Sequence, residues 1–204
     1  AQDNNTQKFT SPGINSTTPV IGGDGAIPHI SQTDGQLQIA ASTSNTYYRS
    51  TDGGNTFNSL GGSINNGRGQ FINPSDLDDN QKVLYAGDDI GKYYCITGLN
   101  GTPAASVKPV IEMAGRGLTA VKIDPVVANT IWIGASSVDG SPGLLPPLLI
   151  KITNASSAAP TVSFTTTIPA TNGSYISSID VDRFNPNNVL VTFSNFGVTS
   201  VWES

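Results

Sequence analysis

Ser50-Thr51-Asp52-Gly53-Gly54-Asn55-Thr56-Phe57 is the stretch on which the reading of the fold turns. Its chemistry is that of a hairpin turn that satisfies its own polar groups. The Asp52 carboxylate can accept backbone N–H bonds across the turn, and Gly54 can take a positive φ at no steric cost. The hydroxyls of Ser50 and Thr56 can bond the remaining turn groups, while Phe57 tucks under the neighbouring strand. Ser50, Asp52, Gly54, Thr56 and Phe57 are therefore read as a structural staple and not as catalytic residues.

Outward from this turn the chain repeats itself. Leu37-Gln38-Ile39-Ala40 is echoed by Val83-Leu84-Tyr85-Ala86, Thr130-Ile131-Trp132-Ile133 and Val189-Leu190-Val191-Thr192. With Ile39, Tyr85, Trp132 and Leu190 taken as equivalent, the steps are 46, 47 and 58 residues. A second series follows each run: Tyr47–Ser50, Tyr93–Ile96, Leu148–Lys151 and Thr199–Trp202. The last residues, Val201–Ser204, align with Tyr47–Ser50 as well. A third series precedes the later units as Ala120–Pro125 and Ile179–Asp182, with Phe71-Ile72-Asn73-Pro74 as its weaker counterpart.

Three or four short strands per period, joined by Gly, Asn, Asp and Pro turns, make one blade of a propeller. The expected fold is all-β, a β-propeller segment of four-stranded antiparallel blades. Residues 1–27 read as the end of a preceding blade. Whole blades follow at 28–69, 70–117 and 118–175, and 176–204 is an incomplete blade. The remaining blades of a larger parent protein are thus expected as partners, with a closed four-bladed ring as the alternative.

Composition agrees with many strands and turns: 22 Gly and 13 Pro are spread through 204 residues, of which 37% are apolar. Charged residues make up only 12%, about half the usual globular share. A net charge of −5 offers no basic stripe to neutralise phosphates, so nucleic acid is not an expected partner. The longest apolar stretch, Gly143–Ile150, is short and broken by Pro146 and Pro147, which argues against membrane insertion. The single cysteine, Cys95, allows no internal disulfide and reads as an inert buried thiol.

The chain resembles the Asp-box (BNR-repeat) β-propellers, which include sialidase-like and sortilin (Vps10-like) propellers. It is most similar to a secreted bacterial set with a Q-D-N segment, a G-G-D-G turn and then the Asp-box. Here these are Gln2-Asp3-Asn4-Asn5-Thr6, Gly22-Gly23-Asp24-Gly25 and Ser50–Phe57. The resemblance is specific over residues 1–57 and repeat-level beyond. It implies a secreted or cell-surface, extracellular setting. Members are often described as glycosyl hydrolases, a description that follows the fold and does not by itself give the function.

In a four-stranded blade the 2–3 and 4–1 loops share one face, opposite the Asp-box turn. That face collects Asp3, Asp24, Arg68, Arg116, Asp88, Asp89 and Asp139 as candidate ligand-binding residues. Arg68 and Arg116 sit between glycines at what the repeat makes equivalent positions, and paired arginines suit anionic or hydroxyl-rich ligands. Asp139 lies in the longest insertion, Ser136–Pro147, expected to cover the channel mouth as a lid. Asp76, Asp78 and Asp79 resemble a calcium loop but lack its glycine and distal glutamate. A lone His29 argues against multi-histidine metal sites, and no phosphate loop is present, so no metal and no cofactor are expected. No catalytic residue is assigned.

The function expected is a non-enzymatic extracellular module that binds a glycan or protein ligand. The alternatives are a fragment of a propeller glycoside hydrolase and a sortilin-like peptide binder.

Overall fold

The computed structural model describes residues 3–204, so Gln2 of the Q-D-N segment lies outside the described residues. The chain is an all-β propeller segment of four-stranded antiparallel blades. A first hairpin pairs β1 (Thr6–Lys8) with β2 (Thr18–Ile21). Three four-stranded sheets follow. The second blade holds β3 (His29–Ile30), β4 (Gln38–Ala41), β5 (Tyr47–Ser50) and β6 (Asn58–Ser59). The third holds β7 (Ser75–Asp78), β8 (Val83–Gly87), β9 (Lys92–Thr97) and β10 (Ala104–Pro109). The fourth holds β11 (Gly117–Ile123), β12 (Thr130–Ser136), β13 (Leu148–Thr153) and β14 (Thr161–Thr167), and a three-stranded sheet ends the series with β15 (Ile176–Val181), β16 (Val189–Phe193) and β17 (Val201–Glu203). The sole helical element among the described residues is the single turn Ile111–Met113.

The two middle strands of the third and fourth blades are covered on both faces, which is why they read as near-continuous apolar runs and not as alternating ones. Because side chains alternate along a strand, Val83 and Tyr85 of β8 enter the core shared with the fourth blade, while Leu84 and Ala86 enter the core shared with the second. On β12, Ile131, Ile133 and Ala135 face the third blade, and Trp132 faces the last sheet. Gly134 permits that last contact, since a Cβ there would meet Ile176 Cγ2 at 2.5 Å. Cys95 is fully buried, and burial pushes its thiol up to about 11.

The register corrects three expectations. Phe71–Pro74 is not a strand; the first strand of the third blade is Ser75–Asp78, the segment that resembled a calcium loop. Its carboxylates diverge to cap backbone: Asp78 accepts from Asn80 and Gln81 N–H, Asp76 from Ile123 N–H, and Asp79 from Gln32 N–H. The pairings Ile39↔Arg49, Tyr85↔Cys95, Trp132↔Lys151 and Leu190↔Glu203 place Arg49, Cys95, Lys151 and Glu203 at one position. The second series therefore slips by one residue in the third unit, and in the last unit Val201–Ser204 is the matching run.

The first strands are tied to one another at one register position. His29, Asp76, Lys122 and Asp180 stand opposite Ile39, Tyr85, Trp132 and Leu190. His29 Nε2 lies 2.8 Å from Ser75 Oγ in the next blade, Ile123 N–H donates to Asp76 at 2.9 Å, and Lys122 pairs with Asp180 at 3.3 Å. Further out, Lys8 donates to Gly54 O, Arg49 to Leu99 O and Gly101 O, and Lys108 to Ser157 O. Each cation thus caps the 3–4 turn of the following sheet, whose carbonyls would otherwise face solvent.

Candidate functional site

Hydrogen bonds between loops define the two faces. Gly53 N–H donates to Gln36 O and Leu99 N–H to Lys82 O, which joins the 3–4 turns to the 1–2 turns. Gly91 N–H donates to Arg116 O and Gly173 N–H to Leu145 O, which joins the 2–3 loops to the 4–1 loops. The Ser50–Phe57 turn belongs to the first face. Asp52 Oδ1 accepts from Asn55 N–H at 3.0 Å, Thr56 N–H at 2.9 Å and the Ser50 hydroxyl at 2.7 Å, while Oδ2 accepts from the Thr56 hydroxyl at 2.7 Å. The Thr56 backbone and side-chain bonds, with that from Ser50, hold its carboxyl far below the usual carboxylate range. Gly54 has φ +76°, and a Cβ there would meet Gln38 Oε1 at 2.5 Å. Phe57 is half-buried and lines a small cleft with Lys8 and Pro19 of the first hairpin.

The opposite face carries a cleft of about 760 Å³. Its wall comes from the loop ahead of β7 (Gly69–Ile72), the β8–β9 loop (Asp88–Ile90), the start of β11 (Gly117, Leu118), the β12–β13 insertion (Val138, Asp139) and Tyr175 ahead of β15. A second hollow of about 490 Å³ shares Gln70, Val138, Asp139 and Tyr175 with the first, so the two form a branched depression. Beneath it, residues of β7, β11 and β15 line a third, with Tyr175 again at its edge.

Of the candidates, Asp88, Asp89 and Asp139 line the cleft together. Asp88 is buried, with Oδ1 accepting from Asp89 N–H and Oδ2 from Asn66 Nδ2. Asp89 is paired with Arg68 at 2.5 Å and lies 3.9 Å from Lys92. Asp139 is exposed, and its carboxylate has no hydrogen-bond or ion-pair partner among the described residues. Asp3 and Asp24 belong to the first hairpin, where Asp3 N–H donates to Asp24 Oδ1 at 2.6 Å, and neither is part of the cleft wall.

The arginines do not form the pair that the repeat suggested. Counting back from the register position shared by Asp76 and Lys122, Arg116 takes the place of Gln70 and not of Arg68. Neither guanidinium lines the cleft. Arg68 reaches it only through Asp89. Arg116 donates from Nε to Pro146 O at 2.7 Å and from an Nη to Ala114 O at 3.2 Å, and desolvation lowers its pKa. It is the anchor of the 136–147 insertion, whose Val138 packs where a Cβ of Gly117 would be and whose Leu144 packs likewise on Gly173.

Sequence reasoning missed Gln70, Phe71, Ile72 and Tyr175. The Tyr175 hydroxyl donates to Gln70 Oε1 at 2.5 Å, Gln70 Nε2 donates to Leu118 O, and burial raises the Tyr175 pKa. Phe71 and Ile72 are 53% and 43% exposed, although both border a cavity. The signal available was positional: Phe71 and Tyr175 occupy the same place ahead of their blades, five residues before Asp76 and Asp180.

No family model and no curated protein matches the sequence. Solved structures do. The chain is similar to a glycoside hydrolase family 74 xyloglucanase from Xanthomonas campestris (TM-score 0.59, 15% identity, 93% of this chain and 30% of that one). It is also similar to the β-propeller domain of Cps50 (Swd1) from Myceliophteria thermophila (TM-score 0.56, 13% identity, 89% and 53%). A family 74 enzyme from Niastella koreensis gives a TM-score of 0.52 at 18% identity, over 83% and 26%. The chain spans about half the length of one and less than a third of the other two. At these identities the likeness concerns the fold, and the class it defines together with the blades above is the β-propeller.

Proposed function

We propose that the chain is a non-enzymatic, ligand-binding propeller module of an extracellular protein, and that its ligand, a glycan or a protein segment, occupies the cleft opposite the Ser50–Phe57 turn. The observation that carries this reading is the wall itself. Exposed Phe71 and Ile72, with Tyr175, meet an unpartnered carboxylate at Asp139 around a volume in the range of ligand sites. The extracellular setting rests on the low share of charged residues and on the Asp-box resemblance.

Three carboxylates in one cleft, and the family 74 enzymes among the structural neighbours, favour a second reading as part of a glycoside hydrolase. That chemistry requires one carboxyl to donate a proton and another to act as base or nucleophile. Asp88 has both oxygens occupied and Asp89 is held in an ion pair, which leaves Asp139 alone and favours binding over turnover.

Glycan and peptide arrays probed with the wild-type chain and with Phe71→Ala test the reading. Capture of a ligand by the wild type, weakened about tenfold or more in Phe71→Ala at an unchanged melting temperature, is the expected result. Capture indifferent to Phe71→Ala places the ligand elsewhere, and release of reducing ends that Asp139→Asn abolishes favours the hydrolase.

A further inference from the structure

The side-chain hydrogen-bond donors of the cleft wall, Gln70 and Tyr175, are already engaged. Gln70 uses its amide on Leu118 O and its carbonyl on Tyr175, and the Tyr175 hydroxyl is used in that same bond. Asp88 is capped by Asn66 and by the Asp89 N–H, and Asp89 is taken by Arg68. What remains is aliphatic and aromatic surface beside carboxylate oxygens: Asp139, which has no partner among the described residues, and Oδ1 of half-exposed Asp89.

This inventory discriminates among ligands. A sugar ring needs both donors and acceptors around its edge; this wall offers carboxylate oxygens but has its side-chain donors engaged, and each sugar oxygen desolvated without a donor is costly. An anion meets Asp88 and Asp139, neither of which has a cation as partner among the described residues, and none of the described lysines or arginines lines the wall. A cation on an apolar stem meets neither penalty. A lysine or arginine buries its methylenes against apolar surface and keeps its head at a polar edge. There it makes a charge-assisted bond to a carboxylate, and an aromatic face gives it further stabilisation.

We propose that the cleft selects an extended peptide segment bearing lysine or arginine next to apolar residues, its cationic head on Asp139 and its neighbours on Phe71 and Ile72. The proposal rests on the cleft being a binding site, and the test separates the two ideas. Fluorescence anisotropy with the 204-residue chain would use labelled pentapeptide amides alternating leucine with lysine, glutamate or glutamine, beside a labelled neutral oligosaccharide.

The lysine peptide is expected to bind about tenfold tighter than the glutamate peptide at low ionic strength. That ratio should collapse towards one in Asp139→Asn and in high salt, whereas Phe71→Ala should weaken all the peptides alike. An equal or reversed ranking, or a preference that survives Asp139→Asn, overturns the proposal. If the oligosaccharide alone binds and Phe71→Ala weakens it, the selectivity is wrong and the cleft remains the site. If neither class binds, both readings fall.

Discussion

Two titrating side chains give acid sensitivity in different pH windows. Asp52 is ionised in the folded turn at a pH where a free carboxylate is already protonated. Its contribution is therefore complete above the ordinary carboxylate range and is lost as the solution is acidified below about pH 4. Asp52→Asn should melt a few degrees lower than the wild type at neutral pH, and the gap should narrow in strong acid. A gap that persists at every pH would show that the charge has no part in the turn. His29 works the other way. Desolvation lowers its pKa from 6.5 to about 4, against the opposing pull of Asp79. Above pH 6.5 it is neutral in both folded and unfolded chains and contributes no pH dependence. Between 6.5 and about 4 the unfolded chain takes a proton that the folded one refuses, so stability falls. His29→Gln should flatten the fall in melting temperature across that window, and an unchanged slope would assign it to other groups.

At the level of loops and strands, the insertion 136–147 is held by Arg116 on Pro146 O and by the Gly173 N–H on Leu145 O. Arg116→Ala should raise hydrogen exchange in residues 137–145 and leave β12 and β13 protected, because the strands keep their own ladders. Uniform loosening of the whole fourth blade would contradict an anchoring role. The strands themselves were legible from sequence wherever both faces are buried, as in Val83–Ala86 and Thr130–Ile133. They were illegible where strand and turn chemistry overlap. Ser75–Asp78 reads as a polar loop because its side chains are spent on caps and on the neighbouring blade, while the true loop Phe71–Pro74 carries the apolar residues. The cleft was half legible for a similar reason. Asp88, Asp89 and Asp139 declare themselves by loop position, but Tyr175 meets Gln70 across 105 residues and follows directly on the turn residues Asn172, Gly173 and Ser174.

Across the whole molecule, adjacent blades share apolar cores that are chemically alike: aliphatic and aromatic side chains fill all three. Apolar packing of that kind tolerates substitution and discriminates poorly between similar surfaces. The ties between first strands are not alike. One joins an imidazole to a hydroxyl, one a carboxylate to a backbone amide, and one an ammonium to a carboxylate. Each blade therefore carries a different address on its inner edge, and a blade set beside the wrong neighbour would lose its polar partner there. In an array of near-identical modules the usual hazard is docking out of sequence or exchange of a module between chains. Three unlike joints at one position give the chain a way to proofread its own order as it assembles.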